Sequence, residues 1–330
     1  MKRIIFAICT ILCANVLFAQ EQLATLKHNG NISVYYGANA FVEAYNAAAN
    51  GDIITLSDGT FNAPLSGNNP APITKGITLR GNGAQPDSVR GTQGTYFLSQ
   101  IQIQNLGDSA SFEAEGILFQ EFRVSSSFDI KLTNCCVQNI SARGCGLQAR
   151  NCIIKGGAYL GGNTHPHNFT NCVLGPNNAS VGTPAPLPDY SILTNCIIIG
   201  YDYNLNNNSS LYNNCIIIPA NSNRNISETC NNSILCGWNN LPGTTNVAME
   251  VSDVFETWDG NTFSFDPNTY KLKANVANSV LGNDGTQVGI FGGDFPFSFT
   301  PSYSVIKRLD VPNRTDENGM LNIDVEFLTE

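Results

Sequence analysis

Asn151-Cys152-Ile153-Ile154 is one of five near-copies of a single phrase, and the reading of the fold starts there. The others are Asn134-Cys135-Cys136-Val137, Asn171-Cys172-Val173-Leu174, Asn195-Cys196-Ile197-Ile198 and Asn214-Cys215-Ile216-Ile217. A sixth copy, Asn232-Ser233-Ile234-Leu235, has Ser in place of Cys. Successive asparagines are 17, 20, 24, 19 and 18 residues apart. A period near twenty, with one short β-type run per copy, predicts a solenoid in which each repeat is one coil.

The repeated residues have structural roles in such a stack. Asparagine tolerates left-handed backbone and bonds to neighbouring turns, so Asn134, Asn151, Asn171, Asn195, Asn214 and Asn232 are expected to form a ladder at one corner. Cys135, Cys152, Cys172, Cys196 and Cys215 are expected to stack about 4.8 Å apart as a second ladder. Parallel Cβ vectors do not converge on disulfides, so the thiols read as small buried hydrophobes. A straight line of cysteines is not a tetrahedral metal site. One feature stays open. Two consecutive apolar residues follow each Asn-Cys, yet alternation lets only one face the core. Either an apolar ladder faces outward under a cover, for which the C-terminal tail is the obvious candidate, or the bend at Asn resets the alternation.

Outward from the repeats, residues 38–50 carry Phe41, Ala44, Tyr45 and Ala48 on one helical stripe, and Gly51 stops it. Asp52-Ile53-Ile54-Thr55-Leu56 and Gly76-Ile77-Thr78-Leu79-Arg80 read as strands, as do residues 99–104, 116–119 and 128–133. About nine coils of roughly 20 residues fit between residues 51 and 240. Residues 304–309 and 320–328 alternate about the turn Asp316-Glu317-Asn318-Gly319 and read as a hairpin-like tail packed on the solenoid.

The helix followed by Gly51-Asp52-Ile53-Ile54-Thr55-Leu56-Ser57-Asp58-Gly59-Thr60-Phe61 resembles the entry to a right-handed parallel β-helix of the pectate-lyase-like superfamily. Ala277-Asn278-Ser279-Val280-Leu281-Gly282 and Gly285-Thr286-Gln287-Val288-Gly289-Ile290-Phe291-Gly292-Gly293 resemble the closing segment of secreted β-helix proteins of Bacteroidetes type, with Asn278-Ser279-Val280 where those often carry Ser-Pro-Ala. The resemblance spans residues 30–297 and implies an all-β right-handed parallel β-helix with an N-terminal helical cap and a C-terminal β tail. The expected division is 1–19 signal peptide, 20–50 cap, 51–297 β-helix and 298–330 tail.

Lys2 and Arg3 precede an apolar stretch at residues 4–18, and Ala19 is followed by Gln20-Glu21-Gln22. This is the pattern of a secretory signal cleaved after Ala19. The expected protein is exported to the periplasm, cell surface or extracellular space, does not span the membrane, and starts at Gln20. Nine cysteines remain after removal of Cys9 and Cys13, an odd number. The net charge of −9 and pI near 4.8 exclude a nucleic-acid partner. Asp87-Ser88-Val89 and Asp108-Ser109-Ala110 resemble the O-glycosylation acceptor of Bacteroides-type periplasmic proteins.

A polysaccharide lyase needs a Lys or Arg base, with carboxylates around calcium, and a glycoside hydrolase needs carboxylates about 5–9 Å apart. Between residues 122 and 227 the acidic residues are Asp129, Asp189 and Asp202, none at an i, i+2 or one-coil spacing from another. Lys131, Arg143, Arg150 and Lys155 are the basic candidates. His165-Pro166-His167 lacks nearby carboxylates for a metal or proton-transfer role. Tyr201, Tyr203, Tyr212 and Trp238 fall near loops of late coils, and flat rings suit stacking on sugars. The expectation is therefore a non-catalytic module binding polysaccharide or another surface macromolecule, without cofactor. The alternative is a polysaccharide lyase or glycoside hydrolase, with calcium under the lyase reading alone.

Overall fold

The computed structural model describes residues 22–299 apart from 89–90, 108–109, 126–128, 144, 156–165, 177–190, 202–209, 220–229, 239–240, 242 and 261; beyond 299 it describes Met320 and two strands. Residues 1–21, which include the expected signal sequence and its expected cleavage site, lie outside the described residues, as do Tyr203, Asp189, Asp202 and His165. The chain is predominantly β. Two large sheets dominate, each of eleven strands and mostly parallel, as a β-solenoid requires. No helix among the described residues is long and apolar enough to cross a membrane.

Nine parallel strands, from Ile53–Leu56 to Cys230–Asn231, make up most of the first sheet. Its interior strands alternate: Ile130 and Leu132 are buried while Lys131 and Thr133 are half-exposed. Each strand then meets its corner asparagine. All six asparagines have a left-handed backbone, with φ between 48° and 55°. Gly116, at φ 66°, occupies the same corner one coil earlier, since Leu118 pairs with Cys136. Gly and Asn are the residues that adopt this conformation without large strain.

Past the corner the chain enters the second sheet, and the doubled apolar positions divide between two cores. Val137, Ile154, Leu174, Ile198, Ile217 and Leu235 face the interior with the ladder cysteines. Cys136, Ile153, Val173, Ile197, Ile216 and Ile234 face outward, yet all are buried in a second cluster. Alternation is thus kept and the outward ladder is covered. Among the described residues the cover is the segment that leads into the 298–330 tail, through Val254, Phe255, Trp258, Phe263, Tyr270, Leu272, Val276, Val288, Ile290 and Phe297, with Phe299 packed against it. The tail's strands, Val305–Asp310 and Asp324–Leu328, form a separate antiparallel pair.

The glycines of this cover are sites of close approach. A Cβ added at Gly289 would come within 2.8 Å of Ile216, and one at Gly293 within 2.1 Å of the Asn195 amide. Gly282 lies equally close to Asn214. Residues 282–293 therefore run back along the asparagine corner, against the direction in which the coils advance.

The thiols form the interior ladder. All nine cysteines among the described residues are buried and unpaired. Cys135, Cys152, Cys172, Cys196 and Cys215 each donate to the carbonyl two residues earlier, at 3.2–3.3 Å. The Ser233 hydroxyl makes the same bond, to Asn231 at 2.8 Å. In the sixth copy Ser thus takes over the bond that the thiol makes in the others. Burial pushes the Cys135, Cys152, Cys172 and Cys196 thiols well above the ordinary range.

At the first end the interior is filled by rings. Phe41 of the helix Ala40–Ala47 meets Phe97 edge-on at 5.0 Å, and Phe97 stacks on Phe119 at 5.8 Å. Two antiparallel strands, Leu23–His28 and Asn31–Tyr36, complete the first sheet there. The turn between them is Asn29-Gly30, with φ 48° and 81°. Asn-Gly with both residues left-handed is the turn that a tight hairpin favours.

Candidate functional site

The outer face of the first sheet is open where the second is covered. Register fixes which side chains share it. Glu113, Lys131, Gln148 and Asn168 are cross-strand neighbours in one column. Arg80, Glu115, Thr133, Arg150, Thr170 and Thr194 form the parallel column two residues along. Neighbours within a column sit about 4.8 Å apart. Lys131, Thr133, Gln148, Arg150, Asn168 and Thr170 line a shallow groove of about 320 Å³.

Two contacts set its chemistry. Lys131 Nζ donates to Glu113 Oε1 at 2.9 Å, with both side chains about two-fifths exposed. The bond to Glu113 raises the Lys131 pKa, more than partial burial lowers it. The Arg150 guanidinium lies 5.1 Å from the centre of the Phe295 ring. Phe295 follows the glycine run along the asparagine corner and is 55% exposed. The covering segment thus hands an exposed aromatic ring to the edge of the polar groove. The groove combines cations, amides, hydroxyls and one aromatic face, all able to bind hydroxylated or anionic ligands.

The aromatic residues singled out from sequence lie elsewhere. Tyr212 is 1% and Trp238 5% exposed, both packed in the inner core and apart from the groove, Trp238 beside a separate small pocket with Met249 and Asp253. Tyr201 ends the strand Ile197–Tyr201, and its side chain is not described. Arg143 sits beside Ser125 in the second sheet, away from the groove, and Lys155 follows the second-sheet strand Ile153–Ile154. Asp129 precedes Ile130 with a left-handed backbone, φ 64°. Of the basic candidates, Lys131 and Arg150 are the two brought together.

Glu113 and Glu115 escaped the sequence reading because the search for acids began at residue 122. The signal was present: Phe112-Glu113-Ala114-Glu115 alternates, placing both carboxylates on one face, and Lys131 lies one coil later. Gln148 and Asn168 are ordinary polar strand residues whose adjacency requires the register. Phe295 is adjacent only because the cover folds back.

The corner asparagines serve the cover. Asn171 Nδ2 donates to the carbonyls of Ile290 at 2.8 Å and Gly292 at 2.7 Å. Asn214 Nδ2 donates to Asn283 and Asp284 side-chain oxygens, and its Oδ1 accepts from the Asn283 amide. At these two corners the side-chain bonds run to the covering segment, while the backbone N–H groups bond from coil to coil.

His167 is fully buried on the first sheet's inner side, where its Nδ1 accepts from the Leu147 amide at 3.2 Å. Burial pulls its pKa from 6.5 to about 4. Among the described residues no three His, Cys, Asp or Glu side chains gather to hold a metal ion. The depressed value has a consequence for stability. Below pH 6.5 the unfolded chain takes up a proton that the fold rejects until about pH 4. Stability is therefore full above pH 6.5 and falls as the pH drops through that window, by up to about 3 kcal/mol. Urea unfolding at pH 7.5 and 4.5 should show that loss, and His167→Gln should flatten it.

Compared with known proteins, the chain matches no family model, no curated protein and no solved structure.

Proposed function

We propose that this chain is an exported, right-handed parallel β-helix of the pectate-lyase-like type, with the helix as its cap and the terminal hairpin as a β tail. In this reading it binds a polysaccharide along the outer face of the first sheet. The supporting observation is the groove in which Lys131, Gln148, Arg150 and Asn168 converge beside the exposed Phe295 ring. Sugar rings stack on an aromatic face, amides bond hydroxyls, and cations meet carboxylate or sulfate groups.

Glu113, Glu115, Lys131 and Arg150 on one face also suit the enzyme alternative. Their pairing favours binding. A lyase base must give up its proton near neutral pH, whereas Glu113 holds Lys131 in the charged form. The same ion pair occupies one of the two carboxylates that a hydrolase would use.

The test is retention of the purified chain on immobilised glycans, alongside a depolymerisation screen that follows unsaturated uronates and new reducing ends, with and without calcium. Retention without turnover is expected. Arg150→Ala and Phe295→Ala should each weaken it about tenfold, and added salt should weaken wild type more than Arg150→Ala. Turnover of any polymer, abolished by Glu115→Gln or Lys131→Ala, would establish the enzyme reading instead. Retention unchanged in both groove variants would place binding elsewhere.

A further inference from the structure

The first sheet ends on a bare edge. Asn31–Tyr36 pairs with Leu23–His28 on one side and with nothing among the described residues on the other. Gly37 donates to the Gln22 carbonyl, so the odd-numbered residues direct their backbone groups inward along this ladder. Ile32, Val34 and Tyr36 consequently turn their N–H and C=O groups to the open edge. Their side chains are also the exposed ones, at 68%, 43% and 59%. Tyr35, between them, packs on the inner core.

Edge strands are normally guarded by a charge, a proline or a bulge. This strand, Asn-Ile-Ser-Val-Tyr-Tyr, contains no charge and no proline, and pairs six-for-six with its neighbour without a register shift. The chain around it carries a net charge of −9. An uncharged apolar edge on such a molecule is the place where two copies meet without repulsion.

We propose that Asn31–Tyr36 joins a second copy of this chain, antiparallel, about a two-fold axis through Val34. This register aligns Ile32 with the second copy's Tyr36 and Val34 with its own counterpart, so apolar side chains stay on one face. Shifting by one residue would place Ile32 opposite the inward-facing Tyr35. In the two-fold register the outward backbone groups meet in about six hydrogen bonds. Neighbours on the inner strand continue the rows. Lys27 lies beside Ile32, Thr25 beside Val34 and Leu23 beside Tyr36. Each lysine therefore ends a row whose far end is a leucine, and no like charges face each other. A single strand buries less than the roughly 800 Å² per partner of a standard interface, so the dimer is weak.

Sedimentation equilibrium of the full chain from ~5 to ~500 µM should show a monomer–dimer equilibrium with Kd of tens to hundreds of micromolar. Val34→Lys sets two cations on the axis and should raise Kd at least about tenfold. Its melting temperature should match wild type, because Val34 is exposed. In a second measurement, Val34→Cys is treated with a bismaleimide of ~8 Å span, a reach that suits directly opposed strand residues. It should give a covalent dimer, with Leu65→Cys, on an exposed hairpin elsewhere, as the uncoupled control. For the coupling the chain is produced from Gln20, without Cys9 and Cys13, and its nine remaining thiols are buried and do not compete. A monomer at every concentration, a dimer indifferent to Val34→Lys, or equal coupling of the two cysteine variants would each overturn the proposal. Pairing instead with an unrelated extended peptide would appear as binding without self-association, and would do the same.

Discussion

Replacing Ile197 with aspartate is expected to destabilise the protein by at least about 4 kcal/mol, although Ile197 points away from the solenoid interior. The reason is the covering segment. Ile197 is 0% exposed and sits in the outer cluster with Val288 and Ile290. Aspartate there forfeits the apolar contact and brings an unpaired carboxylate into the layer between second sheet and cover. Ile192 is the matched control, since it is also aliphatic and outward-facing, but on the open first sheet and 42% exposed. Ile192→Asp should cost under about 1 kcal/mol. Urea unfolding of the two variants decides the matter. Similar small costs would mean that residues 251–297 do not seal the second sheet, and early proteolysis within that segment in wild type would show the same.

The second large effect is expected at Asn171. Alanine at this corner must adopt φ 51°, at about 1–2 kcal/mol, and leaves the Ile290 and Gly292 carbonyls without the donor they now share. The combined cost should be about 3 kcal/mol. Asn171→Gly separates the two contributions, because glycine accepts the left-handed backbone while still losing the amide. It should recover about 1 kcal/mol relative to alanine. Glycine no better than alanine would show that the backbone conformation contributes nothing and that the bonds to the cover carry the whole effect.

Repetition made the coils legible. Asn-Cys followed by two aliphatics, every twenty residues, can only be satisfied by a stack, and nine parallel strands in the first sheet match the expected number of coils. The doubled aliphatics also announced a covered outer face. What covers it was not legible, because Phe255, Trp258, Tyr270 and Ile290 lie in a stretch without period, and contact between segments as far as 180 residues apart has no local signature. The N-terminal hairpin did have one: Asn29-Gly30 between alternating segments. The groove needed register. Lys131 and Arg150 were visible as cations at strand positions, but their union with Gln148 and Asn168 depends on coil lengths of 17 and 20 residues bringing one outward position above the next. Tyr212 and Trp238 were misplaced for the converse reason. Large rings near loops look alike in sequence whether they cap the interior or face solvent, and only the alternation of Leu211–Asn213 turns Tyr212 inward.

The thiol column imposes a deadline on this protein. The nine cysteines of its described residues, five of them in that column, are buried once the coils have closed and are open to oxidation before that. Each added coil withdraws another sulfur from reach, so the number at risk falls as stacking advances. In an oxidising compartment a wrong disulfide formed early would cross-link coils that should lie apart, and the described cysteines, all unpaired in the fold, give it no native bridge to be corrected toward. The amount of good protein recovered there is accordingly set by a race between coil closure and oxidant, a matter of rates that no measurement on the finished fold reveals.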